Sequence, residues 1–151
     1  DTDDNQKAVK TIGTHHGTFH CDEVLACYML SNHTKEFRNA NIIRSRDPNV
    51  LSTADIVVDV GAEFDVNANK FDHHQSSFDE QFSKDFETKL SSAGLIYKYF
   101  GKEIIKDVIL NHKDDIKTDM DKTENKDNDI DDETIELLYK KVYHSFIEGV
   151  D

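Results

Sequence analysis

Several features that would settle the class of this chain at once are missing or scarce. No apolar run approaches the roughly 20 residues that span a bilayer, so no membrane helix is expected. Cysteine occurs only at Cys21 and Cys27. Their spacing gives neither a C-x-x-C pair nor a disulfide framework, and a reducing, intracellular setting is the default. Lysine and arginine number 18 against 31 acids, a net charge of −13. That balance argues against a broad basic face for nucleic acid. There is no H-E-x-x-H helix and no serine or cysteine triad motif, so peptide hydrolysis lacks its chemistry. The opening DTDDNQKAVK has no signal-peptide core, and no internal repeat is visible.

What is present is lean, with 36% hydrophobic and 32% charged residues in 151. That suffices for one core. The acid excess is partly local. Residues 112–133 hold ten acids and four lysines, a net −6, and the rest of the chain keeps −7. This stretch is expected to be a solvated insertion. A binding cleft can still be locally positive around Arg44, Arg46, Lys70 and Lys89.

Strand and helix signals alternate through the first third. AVKTIGTH (8–15) reads as a strand running into a glycine-containing loop. DEVLACYMLSNH (22–33) reads as a helix, with Val24, Leu25, Tyr28 and Met29 at helical spacing and acids in its first turn. NIIRSR (41–46) is a second strand, and DPNVLSTA a short helix with Pro48 in its first turn. DIVVDVG (55–61) is a buried parallel strand stopped by glycine. The order β-α-β-α-β predicts an α/β fold, with a parallel, Rossmann-like sheet flanked by helices. KFDHHQ is a short strand or loop. ETKLSSAGLIYKYFGKEIIKDVI gives one or two helices, broken near Gly101. DETIELLYKKVYHSFIEGV is a final amphipathic helix, with Ile135, Leu138, Val142 and Phe146 near one face.

Parallel sheets bind ligands at the carboxyl ends of their strands. Three clusters fall at such ends: THHGTFHCDE after the first strand, Asp59 at the end of the third, and Asp72-His73-His74. Imidazole mixed with carboxylate suits manganese, zinc, iron or cobalt better than calcium. Two such ions roughly 3.5–4 Å apart hold a nucleophile and clamp a phosphoryl oxygen. Each member also has a plainer reading. Asp59 caps a turn equally well. His15 and His16 are neighbours in an extended stretch, so only one reaches the site. Glu23 reads as a first-turn acid and nothing more, and Cys21 as a small packed thiol. His33, His112 and His144 read as surface histidines. Ser91 or Ser92 in TKLSSAGL is an ordinary helix cap, or part of an anion site with Lys89.

The strings IGTHHGTFHCDEVLAC, RSRDPNVLSTADIVVDVG, FDHHQSSF and KLSSAGLIYKYFG resemble the Myg family, a branch similar to the DHH phosphoesterase superfamily and formerly labelled metal-dependent protein hydrolase. The likeness runs from about Ile12 to Gly101 and resumes in the last helix. It implies metal ligation by His15, His20, Asp22, Asp59 and His73, with Asp59 bridging. It implies that His74 touches phosphate and that Asp72 orients a histidine, so that Asp59, Asp72 and His74 are the catalytic set. His74, Lys89, Ser91 and Ser92 are the implied substrate contacts. In the superfamily an aspartate stands where His20 does, and His16 stands where the family is expected to carry asparagine.

The resemblance therefore implies a metal-dependent phosphodiesterase, a 3′–5′ RNA exonuclease. Its cofactor is one or two divalent ions, manganese first among manganese, zinc, iron, cobalt and magnesium. Its partner is RNA or another phosphate ester, with no membrane, in the nucleus, mitochondrion or cytoplasm. Residues 1–151 are expected to form one truncated DHH-like domain, lacking the substrate-gripping C-terminal domain, and to turn over poorly alone. Two other readings remain: a phosphohydrolase for pyrophosphate or a dinucleotide, and a non-catalytic metal-binding interaction protein.

Overall fold

A computed structural model describes residues 8–111 and 130–151. Most of the acidic stretch, 112–129 together with His112, lies outside the described residues. Its last residues have a definite role: Asp131 accepts the Thr134 N–H at 2.7 Å and so starts a helix.

Five strands form one sheet: β1 (Thr11–Thr14), β2 (Asn41–Arg44), β3 (Ile56–Val58), β4 (Phe64–Asp65) and β5 (Lys70–Phe71). Their spatial order is β2-β1-β3-β5-β4. The first three and β5 are parallel, with Ile12 opposite both Ile42 and Ile56, and Val58 opposite Phe71. Only β4 is antiparallel, returning against β5. The short apolar runs suit strands whose faces are covered, and Ile12, Ile56 and Val58 are fully buried. From β1 the chain goes to one side for β2 and then to the other for β3. The sheet therefore has its topological switch point between β1 and β3, where open parallel sheets bind ligands.

Among the described residues there are four helices, α1 (Cys21–His33), α2 (Pro48–Leu51), α3 (Ser92–Asn111) and α4 (Asp132–Ser145), the last packed on α3. The buried face of α1 is not the one its apolar residues suggest. Glu23, Ala26, Cys27 and Leu30 are buried at helical spacing, while Val24 and Tyr28 are exposed. Small side chains at 26 and 27 suit the close packing of α1 on α3. Cys21 is exposed rather than packed. Burial pushes the Cys27 thiol up to about 12, and the Glu23 charge adds to this, so it stays protonated.

Helix α3 runs unbroken through Gly101. The glycine is a contact site, because a Cβ there would lie 2.7 Å from the Tyr139 ring of α4. The α3–α4 seam continues through stacked rings, with Phe82 on Tyr143 at 3.8 Å. Helix α4 ends at Ser145, before a 3-10 turn over Ile147–Gly149. Phe146 is therefore exposed, and Ile147 takes the buried place expected of it. No described helix is long and apolar enough to cross a membrane.

Candidate metal centre

The parallel register carries the residues after β1, β3 and β5 to one edge of the sheet. His15 follows β1, Asp59 follows β3, and Asp72-His73-His74 follow β5. The chain then turns away at Asp59 itself, whose φ of +56° is left-handed. Aspartate tolerates that conformation better than most residues with a side chain.

His15 is 3% exposed. Its Nδ1 lies 3.2 Å from the His16 carbonyl oxygen. Its Nε2 sits 3.5 Å from Asp59 Oδ2 and 3.7 Å from Glu23 Oε2, too far for hydrogen bonds. This nitrogen is buried and has no hydrogen-bond partner. A buried polar atom aimed between two carboxylates without bonding either is what a cation between them accounts for. The donor set fits a divalent ion on that ground. His16 points away and is exposed, so one of the two neighbouring histidines reaches the site.

Two groups of donors, each with ligand atoms within 4.8 Å of one another, share Asp59. One is His15, His20, Glu23 and Asp59; the other is Asp59, Asp72, His73 and His74. Glu23 is thus both the first-turn acid expected, closing a capping box with His20, and a member of the first of these donor groups. It is fully buried, accepts the His20 N–H at 2.7 Å, and faces Arg44 at 3.4 Å. Its signal in the sequence was its register: positions 23, 26, 27 and 30 make one helical face.

Asp22 lies outside both groups but close to the second. Its two carboxylate oxygens accept the N–H groups of Ser92 at 3.1 Å and Ala93 at 2.5 Å, capping α3 from another element. It also lies 3.4 Å from His73 Nδ1. Ser92 Oγ is 3.3 Å from the same nitrogen and 3.4 Å from Asp59 Oδ1. Ser91 gives its N–H and hydroxyl to Asp151, at 2.9 and 2.8 Å. The expected anion site at this helix terminus is therefore already filled by the protein's own carboxylates. Lys89 is exposed, 3.4 Å from Asp79, and lines a smaller hollow of about 360 Å3 with Asp22, His73, Ser91 and Asp151.

Asp72 is 1% exposed and accepts from Ala62 N–H at 2.5 Å, His73 N–H at 2.8 Å and His74 N–H at 3.3 Å. It also holds His74 Nδ1 at 2.6 Å. The histidine it orients is thus His74, which stacks on His73 at 4.3 Å. That hydrogen bond to Asp72 raises the His74 pKa against the opposing effect of burial. Burial, and then the Asp22 charge, raise the Asp59 carboxyl above its usual range, although the imidazoles at 73, 74 and 15 counter them. A carboxylate held at such a cost is stabilised by a bound cation.

His15, His20, Asp59, Asp72 and His74 are among the residues lining a cleft of about 840 Å3. Of the four basic residues expected near a cleft, Arg46 and Lys70 line this one. Arg44 is turned onto the Phe19 ring at 3.9 Å.

Fold and donors together define the class: an α/β protein with a histidine–carboxylate centre at the switch point of a mostly parallel sheet. The chain belongs to the family described as "Uncharacterised protein family (UPF0160)", whose exonuclease-named model matches residues 11–151. It is 48% identical over 140 residues to "MYG1 protein C694.04c" of Schizosaccharomyces pombe, covering 93% of this chain and 38% of that protein. It is 43% identical over 145 residues to "MYG1 exonuclease" of Homo sapiens, covering 93% and 34%. Against "MYG1 exonuclease" of Mus musculus the identity is 40% over 152 residues, covering 97% and 35%. The chain thus spans just over a third of the length of these relatives. No solved structure gives a significant match.

Proposed function

We propose that this chain carries the metal-holding part of a metal-dependent phosphodiesterase that removes nucleotides from the 3′ end of RNA. The observation that carries this reading is the unpartnered, buried His15 Nε2 facing Asp59, with Asp59 shared by two donor groups. The mammalian relatives named exonuclease give the reaction class. His15, His20, Glu23 and Asp59 would hold one divalent ion, and Asp59 with His73 and the nearby Asp22 would hold a second. Such mixed donors suit manganese, zinc, iron or cobalt, and the family resemblance puts manganese first among them. Bound there, such ions supply an activated water and a clamp on phosphoryl oxygens.

The protein's own groups do the rest. Asp72 fixes the orientation of His74 through its Nδ1, at 2.6 Å. The second ring nitrogen of His74 is thereby left to meet charge developing on phosphate. Asp22 and Ser92 hold His73 from the α3 side. The net charge of −13 favours a second reading, in which the substrate is a small phosphate compound such as pyrophosphate or a dinucleotide.

The test begins with elemental analysis of protein purified without chelator. One or two equivalents of manganese, zinc, iron or cobalt are expected in the wild type, and a large loss in Asp59→Asn, His15→Gln and His73→Ala. Full-length protein is then given RNA labelled at either end. Shortening from the 3′ end, lost in Asp59→Asn, supports the exonuclease. Hydrolysis of pyrophosphate with intact RNA left untouched supports the second reading. Absence of metal after soaking in Mn2+ sinks both.

A further inference from the structure

The same cleft is lined by residues that are not donors. Pro48, Leu51 and Ala54, with Val57 of β3 and Ala68, give it an apolar surface. Arg46 lines it too and is exposed. The neighbouring cations are engaged: Arg44 by Glu23, Lys70 by Glu63 and Lys89 by Asp79. Arg46 makes no ion pair or hydrogen bond among the described residues, although a carboxylate follows it directly. Asp47 is turned the other way, accepting the Asn49 N–H at 2.9 Å to start α2. The backbone around Arg46 is pinned on both sides. Ser45 N–H donates to the Thr14 carbonyl at 2.8 Å, and Asp47 N–H to Ser45 Oγ at 3.0 Å. A fixed backbone therefore presents an unpaired guanidinium to a cleft that the donors and these apolar side chains both line.

We propose that this cleft seats one nucleotide unit, its base against the Pro48–Leu51–Ala54 wall and its phosphate oxygens on Arg46. The proposal rests on the phosphodiesterase reading for its substrate class and deepens it. A cleft of about 840 Å3 is of the size that encloses a small organic ligand. Pyrophosphate has no apolar part, and such a wall adds nothing to its binding. A base has a flat face that gains from burial, and a phosphate matches the planar fork of arginine. The arrangement also reconciles a strongly acidic protein with a polyanionic substrate. A single cation and one apolar wall do not require a broad basic surface. Binding should then depend weakly on salt, with a log–log slope of about −0.7 for each phosphate contacted.

The test is calorimetry on the full-length protein, with and without Mn2+, using adenosine monophosphate, adenosine and inorganic phosphate as probes. The monophosphate is expected to bind more tightly than either of the others. Arg46→Ala should weaken it on the order of ten- to a hundredfold. Arg46→Lys should fall between, and Pro48→Glu, at an exposed position, should weaken it too. Metal content should be unchanged in all three variants. Equal affinity for the monophosphate in wild type and Arg46→Ala overturns the proposal, and so does phosphate binding as tightly as the nucleotide. The two readings fail separately. Arg46-dependent nucleotide binding in a protein that neither holds metal nor cuts RNA sinks the phosphodiesterase and keeps the seat. RNA cutting with a KM indifferent to Arg46 does the reverse.

Discussion

At φ +56°, Asp59 occupies backbone space that costs most L-residues about 1–2 kcal/mol, and aspartate and asparagine least. Asp59→Asn should therefore keep the fold while losing the metal. Asp59→Val should lose the metal and about 1–3 kcal/mol of stability, read as a lower urea midpoint. Without metal the wild-type carboxyl is raised by burial and by Asp22. Its contribution is complete below the unfolded value of about 3.9 and is lost as pH climbs through the folded one. Chelator-treated Asp59→Asn should accordingly melt at or above chelator-treated wild type at pH 7. Glu23 is the opposite case, a buried acid that the His20 N–H and Arg44 need. Glu23→Ala should cost about 2–4 kcal/mol in a denaturation series, because it orphans both. Its importance was not legible locally. The apolar pattern of Val24, Leu25, Tyr28 and Met29 drew attention to another face, and the partner that holds Glu23 comes from β2.

The elements nearest the N-terminus were the easiest to read. The run that became β3 is apolar and stopped by glycine, and β1, with Ile12 between threonines and Gly13 within it, reads as a strand from the longer AVKTIGTH. The same reasoning placed His15, Asp59 and Asp72-His73-His74 at strand ends, and the parallel register brings them together. The two-residue strand β4 left no trace in the sequence, since its pairing is set by the turn back against β5 and not by composition. Helix α3 is instructive in a different way. Gly101 looks like a break by propensity, yet it is a point where the Tyr139 ring of α4 packs onto α3 and leaves no room for a Cβ. Gly101→Ala should gain about 1 kcal/mol of helix propensity. It should lose about 1–3 kcal/mol by pushing the Tyr139 ring outward. The expected outcome is a net destabilisation, with a lowered melting temperature. The α3 N-terminus shows a limit of sequence reading too. TKLSSAGL advertises a capped helix, but the carboxylates that take its Ser91, Ser92 and Ala93 amides come from Asp151 and Asp22, far along the chain in either direction.

At the scale of the whole molecule, a polar tie joins the ends of α1 and α3. Asp107 meets His33 at 2.9 Å and also pairs with Arg38. Burial alone would raise its carboxyl, but the His33 hydrogen bond and Arg38 outweigh it and leave it below the usual range. A depressed carboxyl contributes stability above its unfolded value, about 3.9, and loses it as pH falls through the folded one. Urea midpoints of wild type and Asp107→Asn should therefore differ near pH 6 and converge towards pH 2–3. A gap that stays constant would remove the tie from the account. The spread of the donors along the chain has a consequence in time. His15 is made early, Asp59 and His73 later, and the amides that Asp22 holds belong to residues 92 and 93. A polypeptide still emerging from the ribosome cannot complete this edge until α3 has been synthesised and docked. A nascent chain that stops short of Ser92 would leave Asp22 without the two amides it holds, and with them the link that ties the start of α1 to the start of α3.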